Sequence, residues 1–216
     1  MAPADPNVFT SVSGPLVLAD ISGYTSFLQN VTHAHRDDAF ADGAVPDAYA
    51  VISSLLDGIV AGLAPPFTLA KLEGDAVFAY AADPSAVPHG SEVLECLEGC
   101  YTDFRKRVGT AKEVWMCWCD ACARVDALDL KFILHAGPFV IQNIGDQSEL
   151  VGPEVVIAHR LLKSRANEVA GQDAFMLVTD AAATMLEVPL DGALPIVETY
   201  DHYPPVDARV YPLRAA

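Results

Sequence analysis

The sequence predicts an α+β domain of ferredoxin-like type, an antiparallel-rich central sheet with flanking helices packed on one face. Three observations predict it. Apolar runs at residues 67–72 and 76–80 are joined by Glu73-Gly74-Asp75, a strand, an acidic glycine turn and a second strand. Residues 47–63 and 88–110 carry apolar side chains at helical spacing. Strand and helix signals follow one another roughly as β-α-α-β-β-α-β-α-β, which mixes hairpins with helices.

Taken in order, residues 1–13 read as a loose leader and residues 14–216 as one domain. Residues 14–20 form a short apolar run closed by Asp20, with the length and composition of a buried strand. Residues 22–25 turn the chain into a short helix through Phe27 and Leu28, and the polar residues 30–46 read as a loop. The helix at 47–63 places Val51, Ile52, Leu55, Leu56, Ile59, Val60 and Leu63 on one side, and Asp47 suits its positive end. After the hairpin and the second long helix comes a cysteine-rich stretch at 115–122. Residues 128–141 read as a strand pair or a bent strand with Gly137-Pro138 inside. A third helix is expected at 152–167, and closing strands at 175–178 and 208–213.

The composition excludes several classes. The chain has 216 residues, of which 52% are hydrophobic and 19% charged, the balance of a globular core rather than of disorder. A formal net charge of −16 repels nucleic acid and anionic membranes. No apolar run is long enough to span a bilayer, and the first ten residues lack a basic segment followed by an apolar one. The expectation is a cytoplasmic protein with reduced cysteines, and five cysteines is an odd number for a disulfide framework.

Two acids stand out by position. Asp20 ends a strand and Asp75 sits at the hairpin turn; if the two strands are neighbours, both carboxylates meet at one end of the sheet. Taken singly, each acid fits a turn former or a helix cap. Together they suit Mg²⁺ or Mn²⁺, hard cations that take oxygen ligands and leave positions free for phosphate. A pair of such ions neutralises a triphosphate and activates a hydroxyl for in-line attack.

Their surroundings decide between these alternatives. Val17-Leu-Ala-Asp20-Ile21-Ser-Gly23-Tyr-Thr25 is similar to the first metal motif of class III adenylate and guanylate cyclases, and Lys71-Leu-Glu-Gly74-Asp75-Ala-Val-Phe-Ala79 to their second. His135-Ala-Gly137-Pro-Phe-Val140, and Val151-Gly152 through Ala158-His-Arg160-Leu161, resemble their later strand and helix. The likeness keeps the motif order from about residue 15 to about residue 180. It implies that Asp20 and Asp75 hold two Mg²⁺ or Mn²⁺ ions, with the Ile21 carbonyl as a further ligand. It implies that the N–H groups of Ser22, Gly23, Tyr24 and Thr25 cradle phosphate at a helix start. Lys71 matches the position that reads the base, with Glu149 as its partner, and Arg160 matches an arginine that steadies charge developing on phosphate. In this family the site forms between two subunits, so a homodimer is implied, with Lys71 and Arg160 facing the acids of the other chain.

The chain departs from the pattern in places. Where the family carries a ribose-contacting asparagine it has Val156, and the base-reading aspartate falls on Glu149. The family's triphosphate lysine has no counterpart in residues 204–209; Arg209, Lys163 and Arg165 are the substitutes on offer. Two functions therefore compete. One is a nucleotidyl cyclase that converts a nucleoside triphosphate to a 3′,5′-cyclic nucleotide and pyrophosphate. The other is a cyclase-like nucleotide-binding or regulatory module without turnover. A purely structural domain leaves two glycine-flanked acids in matching contexts unexplained.

Cys117, Cys119 and Cys122 lie within six residues, and Cys96 and Cys100 share one face of the preceding helix. Two helix cysteines with two of the three others would supply the four soft ligands of a structural Zn²⁺. The competing expectation is that these are small buried side chains. His33 and His35 read as exposed loop residues, and His135 and His159 as structural.

Overall fold

The computed structural model describes residues 9–37, 44–114, 117, 119–145 and 147–214. The expected leader at residues 1–8 and the middle of the expected polar loop at 38–43 lie outside these. The elements run β1 (Phe9–Ser22), α1 (Tyr24–Ala34), α2 (Asp47–Leu63), β2 (Thr68–Glu73), β3 (Ala76–Tyr80), α3 (Ser91–Val114), α4 (Asp120–Ala123), β4 (Asp129–Ile144), β5 (Gln147–Val151), α5 (Pro153–Leu161), α6 (Ala166–Ala170), β6 (Phe175–Thr179), α7 (Asp180–Leu186), β7 (Leu194–Glu198) and β8 (Val206–Pro212).

One sheet organises them, in the order β2-β3-β1-β4-β6-β8-β7, with β5 pairing to β4. Its spine is the antiparallel ladder of β1 and β4, in register from Phe9↔Gln142 to Ser22↔Asp129. The pairing of β4 with β6 is parallel, as a crossover through α5 and α6 requires, and the other pairings are antiparallel.

Successive strand residues point to opposite faces, and both faces are covered. Val17, Ala19 and Ile21 of β1 join Val77, Phe132 and Met176 under α1, α2, α3 and α7. Leu16 and Leu18 join Phe78, Ile133 and Leu177 under α5 and α6. The expectation of helices on one face is thereby corrected. The physical reason is that β1, β3 and β6 are apolar at consecutive positions, and a strand buried on both sides needs cover on both.

Other differences are local. Residues 9–13, expected as leader, extend β1, where they pair with the far end of β4. The helix α1 continues to Ala34 into the expected loop, because Phe27 and Val31 reach the core one turn apart. The third helix breaks after Leu161 into α5 and α6. Residues 129–141 belong to one continuous strand, β4. β5 (QSELV) carries too few apolar residues to read as a strand, and β7 holds Pro195 at the sheet edge, where a missing N–H is tolerated. No helix among the described residues is long and apolar enough to cross a membrane.

Candidate functional site

The site grows from the end of β1. Asp20 lies in register with Ala76 of β3 on one side and with Lys131 of β4 on the other. The Ile21 N–H donates to the Asp75 carbonyl at 3.2 Å, which ties the strand end to the hairpin turn. Gly74 holds that turn with a φ of 68°, a conformation that glycine adopts without strain. Gly23 does the same with a φ of 84° at the N-cap of α1. A Cβ there would also sit 3.3 Å from the Ala127 carbonyl. The chain therefore passes from strand to helix in one residue, and no side chain caps the helix.

The result is an open cleft of about 500 Å³ lined by Asp20, Ser22, Thr25, Asp75, Lys131 and Asp173, among others. Ile21, Gly23 and Tyr24 also line it. Burial, reinforced by the charge of Asp20, pushes Asp75 above the ordinary carboxylate range. Burial and the charge of Asp75 likewise raise the Tyr24 phenol. Asp75, whose ionisation burial and Asp20 make costlier, and Asp20 beside it make a place where a cation is favoured, while the helix N–H groups next to them favour an anion such as phosphate. The set fits a divalent metal. Among the described residues that line the cleft, Lys131 is the cation, with its Nζ 2.9 Å from Asp20 Oδ2 and both side chains mostly buried.

The remaining expected residues lie elsewhere. Lys71, Glu149 and Arg160 do not line this cleft. Lys71 Nζ bonds Glu149 Oε2 at 3.1 Å and Glu73 Oε1 at 3.0 Å. These two acids, Glu73 foremost, hold the Lys71 ammonium above its usual range. His159 Nε2 lies 2.9 Å from Glu73 Oε2, and its ring meets Phe78 edge-on. The expected base-reading pair thus exists as an ion pair, widened by Glu73 and His159. Arg160 opens onto a separate pocket of about 360 Å³ with Val156, His159 and Lys163. Its guanidinium carbon lies 5.0 Å from the Tyr203 ring and 5.6 Å from the Tyr200 ring, and Nη1 donates to the Asp201 carbonyl at 3.4 Å. Of the offered phosphate cations, Arg209 faces Asp180 at 3.5 Å and Arg165 faces Glu198 at 3.5 Å. Lys163 remains beside Arg160.

Lys131 and Asp173 are cleft residues that the sequence did not single out, and the lysine leaves the clearer mark. Its signal is a lone lysine in the apolar run DLKFIL of a central strand. His135, expected as structural, is 4% exposed, lies 2.9 Å from Thr179 Oγ1 and 2.8 Å from Glu154 Oε2. The Glu154 carboxylate can only accept, so a neutral His135 donates to it from Nε2 and accepts the Thr179 hydroxyl proton at Nδ1, while the same hydroxyl oxygen accepts the Ala182 N–H. Burial lowers the pKa of His135, against a smaller opposing pull from Glu154.

The expected zinc set is corrected. Cys96 and Cys100 sit on α3 against α2, with Sγ atoms 4.0 Å from the Gly62 carbonyl and 3.9 Å from the Ile59 carbonyl. Burial pushes the Cys100 thiol up to about 12, and a Cβ on Gly62 would lie 2.9 Å from its sulfur. These two cysteines are packing residues where two helices approach closely. Cys117, Cys119 and Cys122 instead surround His35, expected as an exposed loop residue. Desolvation pushes the Cys119 thiol up, but hydrogen bonds from Cys122, Cys117 and His35 outweigh it and leave Cys119 at about 7.

A family described as "protein of unknown function (DUF2652)" matches residues 52–174, more than half of the chain. The chain belongs to this family. A curated relative of the DUF2652 chain, "Uncharacterized protein Rv2561/Rv2562" of Mycobacterium tuberculosis, is 34% identical over 139 residues. That alignment covers 63% of this chain and 60% of the relative's length. Among solved structures, the adenylyl cyclase CyaB from P. aeruginosa superposes with a TM-score of 0.62 at 16% identity, over 96% of this chain and 97% of that one. The guanylate cyclase domain of RhGC from Catenaria anguillulae, solved with GTP, gives 0.60 at 15% identity, over 93% and 97%. A rhodopsin–guanylyl cyclase catalytic core in complex with ATPalphaS gives 0.61 at 15% identity, over 94% and 97%. At these identities the likeness establishes the fold: the DUF2652 chain has a cyclase-like α+β fold.

Proposed function

We propose that this DUF2652 protein is a nucleotidyl cyclase, acting on a nucleoside triphosphate held between two copies of the chain. The observation that carries the reading is the meeting of Asp20 and Asp75 at the uncapped start of α1, with Asp75 raised by burial and by its neighbour's charge.

Asp20 and Asp75 would hold Mg²⁺ or Mn²⁺, which would supply charge neutralisation and a Lewis acid for the phosphates. The chain's own groups do the rest. The first N–H groups of α1 orient phosphate oxygens. Lys71 and Glu149 meet the base edge with a donor and an acceptor, and their existing ion pair holds both in place. Arg160, stacked against two tyrosines, presents a guanidinium to charge developing during in-line attack. Lys71, Glu149 and Arg160 lie outside the carboxylate cleft of their own chain, which favours a site completed by a second copy. Leu69 and Leu72 flank Lys71 and are 41% and 51% exposed, and Val156 near Arg160 is 42% exposed; this is apolar surface suited to that contact.

Incubation with each of the four nucleoside triphosphates and Mn²⁺, followed by chromatography and mass spectrometry of the products, tests the proposal. The expected result is a cyclic nucleotide and pyrophosphate from one or more of them. No cyclic product from any, with wild type indistinguishable from Asp75→Ala, overturns it.

A further inference from the structure

Outside the carboxylate cleft, His35 and Cys117, Cys119 and Cys122 form a second cluster of chemically capable side chains. The His35 Nε2 atom lies 3.5 Å from Cys117 Sγ, 3.3 Å from Cys119 Sγ and 3.4 Å from Cys122 Sγ. All four ligand atoms fall within 4.8 Å of one another. A tetrahedral zinc with Zn–S of about 2.3 Å and Zn–N of about 2.0–2.1 Å has N···S edges of roughly 3.6 Å and S···S edges of roughly 3.8 Å. The three nitrogen–sulfur distances match those edges to within a few tenths of an ångström. Hydrogen bonding alone does not require this arrangement, since one imidazole nitrogen has a single direction of approach and three sulfurs converge on it.

The local backbone supports a ligand set. Cys119 is the N-cap of α4, and its sulfur accepts the Cys122 N–H at 3.4 Å, a contact that stabilises negative charge on a ligating sulfur. His35 is the C-cap residue of α1, with its own N–H bound to the Val31 carbonyl. The fourth ligand thus comes from 82 residues before Cys117, the first of the three cysteines.

We infer that His35, Cys117, Cys119 and Cys122 bind one structural Zn²⁺ that fastens the end of α1 to the α3–β4 connection. Three soft sulfurs and an imidazole select zinc over the hard cations of the carboxylate cleft. Four protein ligands leave no open coordination position, so the ion is structural rather than catalytic. Its position gives it a second effect. The helix α1 is 11 residues long, so a rigid rod of about 16 Å links the zinc to the uncapped N-terminus beside Asp20 and Asp75. The inference stands whether or not the chain turns over nucleotide.

The test is metal content of the full chain, expressed with zinc supplied, purified under reducing conditions and measured by plasma mass spectrometry. About one zinc per chain is expected in wild type and in the Cys96→Ser/Cys100→Ser variant. His35→Ala should lower occupancy at least tenfold at nanomolar free zinc, and His35→Cys should restore it. Cobalt substitution of the wild type, which needs no variant to fold, should give the intense visible and near-ultraviolet absorption of a tetrahedral thiolate site. Less than a tenth of an equivalent of zinc in wild type overturns the inference. So does loss of zinc from the Cys96/Cys100 variant with retention in His35→Ala, or isolation of the cluster as a disulfide that zinc and reductant do not convert.

Discussion

At its N-terminus α1 meets two carboxylates, one of them pushed above its ordinary range, with Lys131 as the nearest cation. At its C-terminus His35 meets three thiols, each 3.3–3.5 Å from its Nε2. The first site is an open cleft whose charges are only partly compensated; the second gathers four soft donor atoms within 4.8 Å of one another, the number that closes a tetrahedral shell. Like charges kept close without full compensation cost stability and leave affinity for something that arrives later. A closed soft-ligand set does the reverse, since metal binding there is folding free energy. One short helix therefore joins a site suited to changing partners with a site suited to keeping one.

Stripping zinc is the strongest way to break this contrast. A metal held at about a thousandfold over its Kd contributes about 4 kcal/mol, so chelation should lower the Tm of a chain this size by about 8–16 °C in a thermal scan. An unchanged Tm after complete chelation would remove the contrast. Next in size, Asp75→Ala should reduce cyclic-nucleotide formation by about 10²–10³-fold, read by product chromatography. The contrast also predicts that Asp75→Asn stabilises the metal-free protein at neutral pH. A raised carboxylate contributes stability that is present below its unfolded value of 3.8 and is lost as pH rises through its higher folded value. Asparagine stays neutral, so the gain should be seen in urea melts at pH 7 and vanish toward pH 3.8. Destabilisation at pH 7 would mean that Asp75 is a structural acid.

Lys131→Met removes the cation nearest the open site. Metal affinity measured by calorimetry with Mn²⁺ should rise about tenfold, worth about 1.4 kcal/mol. Weaker binding instead would make Lys131 part of the ligand-holding machinery. The smallest effect concerns neither site. His135 is held neutral by burial, so its contribution is complete above pH 6.5 and is lost as pH falls below that value. Urea melts at pH 7.5 and 5.5 should show wild type losing more stability than His135→Gln over the same interval.

Much of the carboxylate site was legible in the chain. Asp20 closes an apolar run three residues before Gly23, and Asp75 follows Gly74 at a hairpin turn; strand ends with positive-φ glycines leave that mark locally. The helix at 47–63 was legible for the same reason, its apolar period falling within one continuous segment. Lys131 and His35 were not. Lys131 acquires its role only through the register that sets it opposite Asp20, and His35 only because α1 runs on from its expected end near Leu28 to Ala34 and meets a segment 82 residues away.

The amino-acid sequence by itself determined the α+β class, the two acids and the wealth of thiols. All of these follow from composition and from periods of two or 3.6 residues. Tertiary structure alone decided which thiols gather, which cation stands beside Asp20, and that the sheet is covered on both faces. Those outcomes depend on strand register and helix length, where a shift of one residue redirects every side chain that follows. The sequence showed five cysteines near one another; the fold separated two as packing residues and gave the other three a histidine.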